Sequence, residues 1–362
     1  MSKILISSDL HVHPHKKSAD RLKDCLNALE WIFQTADKEK INTLVFAGDL
    51  FHDRQKIDVL TYQRIFELFR KYMDNKTVYL LLGNHDMWHY SKWDISSVYP
   101  LSSIDGVKVV AEPTTLDILD HQISFLPYTH DPDKDLKSIK NDSKYKVLFG
   151  HVAIDGAVWN VTYGTTADVS IEHDGDMKKV SADIFEDWNQ VFLGHYHAKQ
   201  ELKTESIDGF CVEYIGSPLQ LDFGEAFQNK EIIIYDLESH DKKYVRNKFS
   251  PQHYVISPKE IEKYNLENNF VQILVDDIAS SDLVDMKNDI LKDNKVGSLE
   301  IKQVIKKKQD DQKIIEDAKA ILHKEDEMLE SYIKSLSKEE LGDLDPKILI
   351  EKGREIIFSE SE

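Results

Sequence analysis

Five times along this chain a short apolar run ends in a side chain of a type that binds metal ions. The five motifs are Asp9-Leu10-His11 after residues 3–8, Gly48-Asp49 after 42–47, Gly83-Asn84-His85-Asp86 after 77–82, Gly150-His151 after 146–149, and Gly194-His195-Tyr196-His197 after 190–193. Each apolar run is bounded by turn residues and reads as a short buried strand. In an α/β fold the loops at the C-terminal ends of such strands converge on one edge. Side chains far apart in sequence can therefore share one site.

The segments between these strands set the fold class. Residues 18–38 show helical spacing, with Leu22, Cys25, Leu26, Leu29, Ile32, Phe33 and Ala36 on one face. Residues 58–73 do the same through Val59, Tyr62, Ile65, Phe66, Phe69 and Met73. The resulting βαβαβ order predicts a largely parallel sheet. Further short strands are expected at 107–111, 115–119, 122–127, 146–149, 190–193, 210–215 and 232–237, and they predict a second sheet packed on the first. Strand, helix and strand over 270–275, 282–291 and 299–306 predict a small separate unit. An apolar stripe from Ile314 to Leu336 and a helix opening at Asp345-Pro346 predict a helical tail. The expected fold is thus α/β: a two-sheet sandwich flanked by helices (1–249), a small α/β capping domain (250–308) and a helical C-terminal tail (309–362).

Composition narrows the function classes. The formal charge of −19 argues against a stand-alone, high-affinity nucleic-acid binder, since such binding relies on Lys and Arg neutralising phosphates. Bound divalent cations or a partner could supply the missing positive charge. The two cysteines, Cys25 and Cys211, predict no disulfide framework and a reducing, cytoplasmic setting. No apolar run approaches a membrane span, and the first one, residues 4–6, is too short for a signal peptide. No membrane partner is expected.

Read singly, each motif also fits an ordinary turn, and Gly-Asp or Gly-His alone says little. Gly-His-X-His is more specific, because it puts two imidazoles on one side of an extended segment. Read together, the motifs offer carboxylate, amide and imidazole donors with no thiolate. That mixed set suits Mn, Fe, Zn or Co better than Ca or Mg alone. Two cations about 3.5–4 Å apart can clamp the attacking and leaving oxygens of an in-line displacement, and a carboxylate is the natural bridge between them.

The set resembles the signature of calcineurin-like metallophosphoesterases. More narrowly, it resembles SbcD-type nuclease subunits of the double-strand-break repair complex. Three segments carry the narrower resemblance: Gly48-Asp49-Leu50-Phe51-His52, Phe192 to His197, and Tyr214-Ile215-Gly216-Ser217-Pro218 followed by Phe223-Gly224-Glu225. It implies two divalent metals, Mn2+ expected. Asp9, His11 and His197 would hold the first, Asn84, His151 and His195 the second, and Asp49 would bridge them. His85 would assist the leaving oxygen, with His52 as a phosphate or leaving-group contact. Hydrolysis would use metal-activated water and no covalent nucleophile. The resemblance further implies exonuclease action on duplex ends, endonuclease action on single strands, a coiled-coil ATPase partner of SbcC type in DNA repair or recombination, and a homodimer. A phosphoesterase acting on nucleotides or other small phosphoesters is the alternative.

Some residues stay open. Relatives place Pro soon after Gly-Asn-His-Asp, where this chain has Met87-Trp88-His89-Tyr90. Trp88, Tyr90 and Trp93 read either as a base-stacking platform or as an apolar cover over the site. His13 and His15, which follow the first ligand pair, read as solvated loop residues or as supports of the metal ligands. Arg54 and Lys56 read as phosphate contacts or solvated cations. The tail helices either bind the ATPase or pack on this chain.

Overall fold

The computed structural model describes residues 2–15, 18–89, 92–160, 165–166, 180–203, 211–275, 280–293 and 295–303. The expected tail helices, the basic run 306–308, Tyr90 and the end of the last expected strand lie outside these residues.

From the N-terminus, β1 (Lys3–Ser7), α1 (Ala19–Glu39), β2 (Thr43–Phe46), α2 (Val59–Tyr72) and β3 (Thr77–Leu81) alternate as predicted. A hairpin follows, β4 (Met87–His89) with β5 (Lys92–Ser96), and then β6 (Val107–Val110), β7 (Thr114–Ile118), β8 (His121–Leu126), α3 (Pro132–Ser138) and β9 (Val147–His151). Next come the short pair β10 (Val158–Asn160) and β11 (Thr165–Thr166), then β12 (Gln190–Gly194), β13 (Gln200–Lys203), β14 (Cys211–Tyr214), β15 (Glu231–Asp236) and β16 (Lys242–Arg246). The described chain closes with β17 (His253–Ile256), β18 (Phe270–Val275), α4 (Ser280–Asp293) and β19 (Ser298–Gln303). Both long helices start at side-chain caps: Ser18 accepts from the Arg21 N–H, and Asp58 from the Thr61 N–H.

Two six-stranded sheets face each other. The first runs β16-β15-β1-β2-β3-β6 and the second β13-β14-β12-β9-β8-β7. Strands β1, β2, β3 and β6 are parallel, as are β8, β9, β12 and β14. This is the metallophosphoesterase sandwich expected from the sequence, with one correction in strand allocation. The strands predicted at 107–111 and 232–237 belong to the first sheet, not the second. β15 lies antiparallel beside β1, pairing Ile4 with Tyr235. The reason is visible in its side chains. Ile232 and Ile234 enter the helix-facing core with Leu5, Leu44, Phe33 and Phe69, while Ile233 and Tyr235 enter the inter-sheet core. A strand apolar on both faces needs cover on both sides, and the position next to β1 supplies it.

The inter-sheet core is anchored by Phe125, Phe149 and Phe192, whose rings stack at 5.6 and 5.4 Å. Burying each side chain of this size stabilises the sandwich by about 1.5–3 kcal/mol. A three-stranded parallel sheet, β17-β18-β19, has its own small core of Ile256, Val271, Ile273, Val275 and Ile290. It joins the sandwich where Arg21 stacks over Phe270 at 4.5 Å. Among the described residues no helix is long and apolar enough to cross a membrane.

Candidate metal centre

The motif loops all leave the same edge of the sandwich, and the backbone stitches them together. Asp9 N–H donates to the Gly48 carbonyl at 3.0 Å, and His11 N–H to the Asp49 carbonyl at 3.0 Å. The buried Asp86 carboxylate accepts from the N–H groups of Asp49 (2.7 Å), Gly83 (3.1 Å) and Phe51 (3.2 Å). Asp9 in turn accepts from the His195 N–H at 2.9 Å, which ties the first sheet to the second. Gly194 is required by close approach. A Cβ there would stand 2.3 Å from the Ala47 carbonyl oxygen and 2.2 Å from Ser8 Oγ.

Four residues of the motifs hold backbone conformations that L-residues avoid. Asp9, His11, Asp49 and His195 have φ of +53, +45, +55 and +104°. Such residues cost on the order of 1–3 kcal/mol each and cluster at functional sites. Here they turn four side chains toward one point.

All seven sequence-predicted ligand residues meet there. His197 Nε2 lies 3.0 Å from His11 Nε2, and His11 Nε2 lies 3.5 Å from Asp49 Oδ2. On the other side His151 Nε2 stands 3.3 Å from Asp49 Oδ2 and 3.1 Å from the Asn84 side-chain amide, which also faces His195 Nδ1 at 3.1 Å. Asp9 closes the ring. It groups with His11 and His197, and also with Asp49 and His151, each set offering ligand atoms within 4.8 Å of one another. His52 and His85 group with His11 in the same way.

The tautomers decide what such a cluster can hold. His151 Nδ1 sits 2.8 Å from the Ala47 carbonyl, which can only accept. In the neutral ring that nitrogen therefore carries the proton, and the Nε2 lone pair points at the Asp49 carboxylate, 3.3 Å away. His197 Nδ1 likewise donates to Glu225 Oε1 at 2.7 Å, turning its Nε2 lone pair toward His11. Convergent lone pairs from buried groups repel unless a cation lies between them. The donor set thus fits divalent metal ions, with the outer imidazole nitrogens anchored as metal-binding histidines require.

The charges show the same demand for a cation: burial lowers His151 and His197, but Asp49 and Glu225 outweigh it, raising His151 to about 9, so a proton competes with metal for the inward nitrogens. Burial opposes ionisation of Asp49, but His151, His85 and His11 around it outweigh burial and hold its carboxyl well below the usual range. His11 is pushed down by burial and by its histidine neighbours despite Asp49. Asp86 moves the other way, up to about 7, because it is buried beside the Asp49 charge. His52 falls to about 4 through burial and the adjacent His85 and His13.

A family model for calcineurin-like phosphoesterases matches residues 2–199, more than half of the chain and every motif loop. The chain belongs to the calcineurin-like phosphoesterase family. Among curated members it is 25% identical over 265 residues to the SbcD subunit of the SbcCD nuclease from Bacillus subtilis, covering 65% of this chain and 66% of the relative. It is 26% identical over 270 residues to the same nuclease subunit from Staphylococcus epidermidis, covering 66% and 67%. It is 25% identical over 224 residues to the DNA double-strand break repair protein Mre11 of Halobacterium salinarum, covering 60% and 52%. The chain thus spans about half to two thirds of the length of these relatives.

Two polar residues of this phosphoesterase site have no role that the sequence alone reveals. Asp86 is the tie between loops described above. Glu225, buried, bonds His197 and pairs with Lys230 Nζ at 2.6 Å. Lys230 and His197 outweigh burial and hold its carboxyl far below the usual range. The signal for Glu225 is its place in the Phe223-Gly224-Glu225 segment. Of the aromatics, Trp93 is partly buried and donates Nε1–H to the Tyr128 carbonyl at 3.0 Å, whereas Trp88 is exposed. Trp93 is thus cover, and only Trp88 of the two is open to a stacking partner. Glu225→Gln is expected to weaken divalent-metal binding through His197 about 10–100-fold, as loss of an imidazole-orienting carboxylate does elsewhere. Calorimetric titration with a divalent metal checks this; an unchanged affinity would make the contact purely structural.

Proposed function

We propose that this chain is a di-metal DNA nuclease that cuts duplex ends as an exonuclease and single strands as an endonuclease. In this reading it works in DNA repair or recombination with a coiled-coil ATPase of SbcC type, as a homodimer. The observation that carries it is the likeness to the SbcD subunit of the SbcCD nuclease across 65% of the chain, joined to the convergent site. Residues 1–249 would form the nuclease domain, 250–308 the cap and 309–362 the segment that docks on the ATPase.

Asp9, His11 and His197 would hold one cation, Asn84, His151 and His195 the other, with Asp49 shared between them. Mn2+ is the metal expected from the resemblance. Divalent cations supply Lewis acidity here and bring the pKa of water toward neutrality. The protein's own part is positioning and proton transfer. His151 and His197 keep their lone pairs inward because Ala47 and Glu225 hold the opposite ring protons. His85 Nδ1–H donates to the His52 carbonyl, and its main-chain N–H to Asp49 Oδ1 at 2.8 Å. The ring cannot rotate without losing that anchor, so Nε2 is the atom left to deliver a proton to the departing oxygen. His52, whose ring centroid lies 5.6 Å from that of His85, would contact the same phosphate.

The test is nucleotide release from linear duplex DNA by the full chain in Mn2+, beside hydrolysis of bis-p-nitrophenyl phosphate. Release from DNA is expected. Cleavage of the small diester with no attack on duplex or single-stranded DNA would move the assignment to a phosphoesterase of small substrates.

A further inference from the structure

Beside the candidate metal centre stands a second group of imidazoles. His13, His15 and His52 each offer a ring nitrogen within 4.8 Å of one from each of the others. Their ring centroids are 5.2 Å (His13–His15), 5.1 Å (His13–His52) and 4.8 Å (His15–His52) apart. His13 and His15 are half-buried, not the solvated loop residues that one reading of their sequence position predicts.

The arrangement has the marks of a built site. His13 Nε2 faces Asp53 Oδ2 at 3.0 Å. His15 Nε2 lies 3.0 Å from the His11 carbonyl, which can only accept. In both rings the outer nitrogen is therefore the protonated one, and Nδ1 keeps its lone pair. His13 Nδ1 is buried and has no hydrogen-bond partner. A buried acceptor without a partner is costly, and nothing in a turn requires three histidines packed ring to ring. Carboxylate or carbonyl on one nitrogen and an open lone pair on the other is how proteins orient metal-binding imidazoles.

We propose that His13, His15 and His52 bind a third divalent cation, separate from the two of the candidate metal centre. Three imidazoles with no carboxylate among the direct donors favour a borderline ion such as Zn2+ over Mn2+ or Mg2+. The cation would sit at the mouth of the site next to His85. There it would add positive charge for a neighbouring phosphate in a chain whose net charge is −19.

The experiment counts Zn2+ bound per folded chain by mass spectrometry after equilibration with Zn2+ alone and removal of excess. Four full-length proteins are compared: wild type, His13→Ala/His15→Ala, Asp49→Ala, and all three substitutions together. The histidine pair is expected to remove one equivalent in both backgrounds. The difference is the readout, so failure of the two-metal reading would change the totals and leave the difference standing. Equal counts with and without the two histidines overturn the proposal. Should the double variant not fold, imidazole nitrogen NMR of the wild type decides. One equivalent of Zn2+ must move the Nδ1 resonances of His13 and His15 together, and resonances that stay put overturn the proposal.

Discussion

Asp49→Ala is expected to yield a folded chain that holds neither metal of the centre and cleaves no phosphodiester. The Asp49 carboxylate is buried and stands between the two halves of the ligand set, 3.5 Å from His11 and 3.3 Å from His151. Removing it deletes a buried anion that faces both halves. The main-chain ties of residue 49 to Asp86 and His11 survive the change, so the loop keeps its path. Both residues bear the strain of φ +55°, so the cost to stability is mainly the His85 N–H left without its Asp49 Oδ1 acceptor, about 1–3 kcal/mol. The loss of turnover should exceed the roughly 10²–10⁴-fold that removal of a general acid causes. Metal content, melting temperature in chelator and diester hydrolysis measured together check this. Two metals retained at wild-type affinity would sink the bridging role.

His85→Ala is expected to behave differently: full metal content, with DNA cleavage slowed about 10²–10⁴-fold. The ring is not among the seven converging donors, and its removal leaves the Asp49–His85 main-chain bond intact. The leaving group separates a proton donor from a packing residue. A DNA alkoxide needs a proton as it departs, whereas p-nitrophenolate is a stable anion and needs none. The variant should therefore lose far more activity on DNA than on bis-p-nitrophenyl phosphate. Equal losses on both would assign His85 to positioning.

Much of this site could be read before any coordinates, because strand ends announce themselves. Leu44 to Ala47 and Val191 to Leu193 are buried on both faces, so they appear as unbroken apolar runs, and the polar residue that follows each has to begin a loop. What stayed hidden has equally local causes. β16 (KKYVR) lies at a sheet edge with none of its side chains fully buried, and β13 (QELK) has one apolar residue, Leu202, so neither carries a strand-length apolar pattern. α3 did carry a signal, Asp131 as cap before Pro132, in a segment too short to show a helical stripe. Asp86 and Glu225 were visible as letters but not as partners. Asp86 serves three N–H groups from two loops, and Glu225 reaches His197 from 28 positions away. No local pattern encodes such pairs. His13 and His15 failed for the same reason, since their neighbour His52 arrives from another strand.

The candidate donors come from the ends of both sheets, and this orders events during synthesis. Asp9 leaves β1, its companion His197 follows β12, and β1 is flanked by β15, which ends at Asp236. A nascent chain holding only β1 to β3 and the loop after it has two carboxylates, an imidazole and an amide in place but lacks His151, His195 and His197. The centre therefore cannot act as an early nucleus, and any metal it takes up arrives after long-range strand pairing is complete. Pairings of that sequence separation are slow to form, so metal would stabilise the finished sandwich without hastening its assembly.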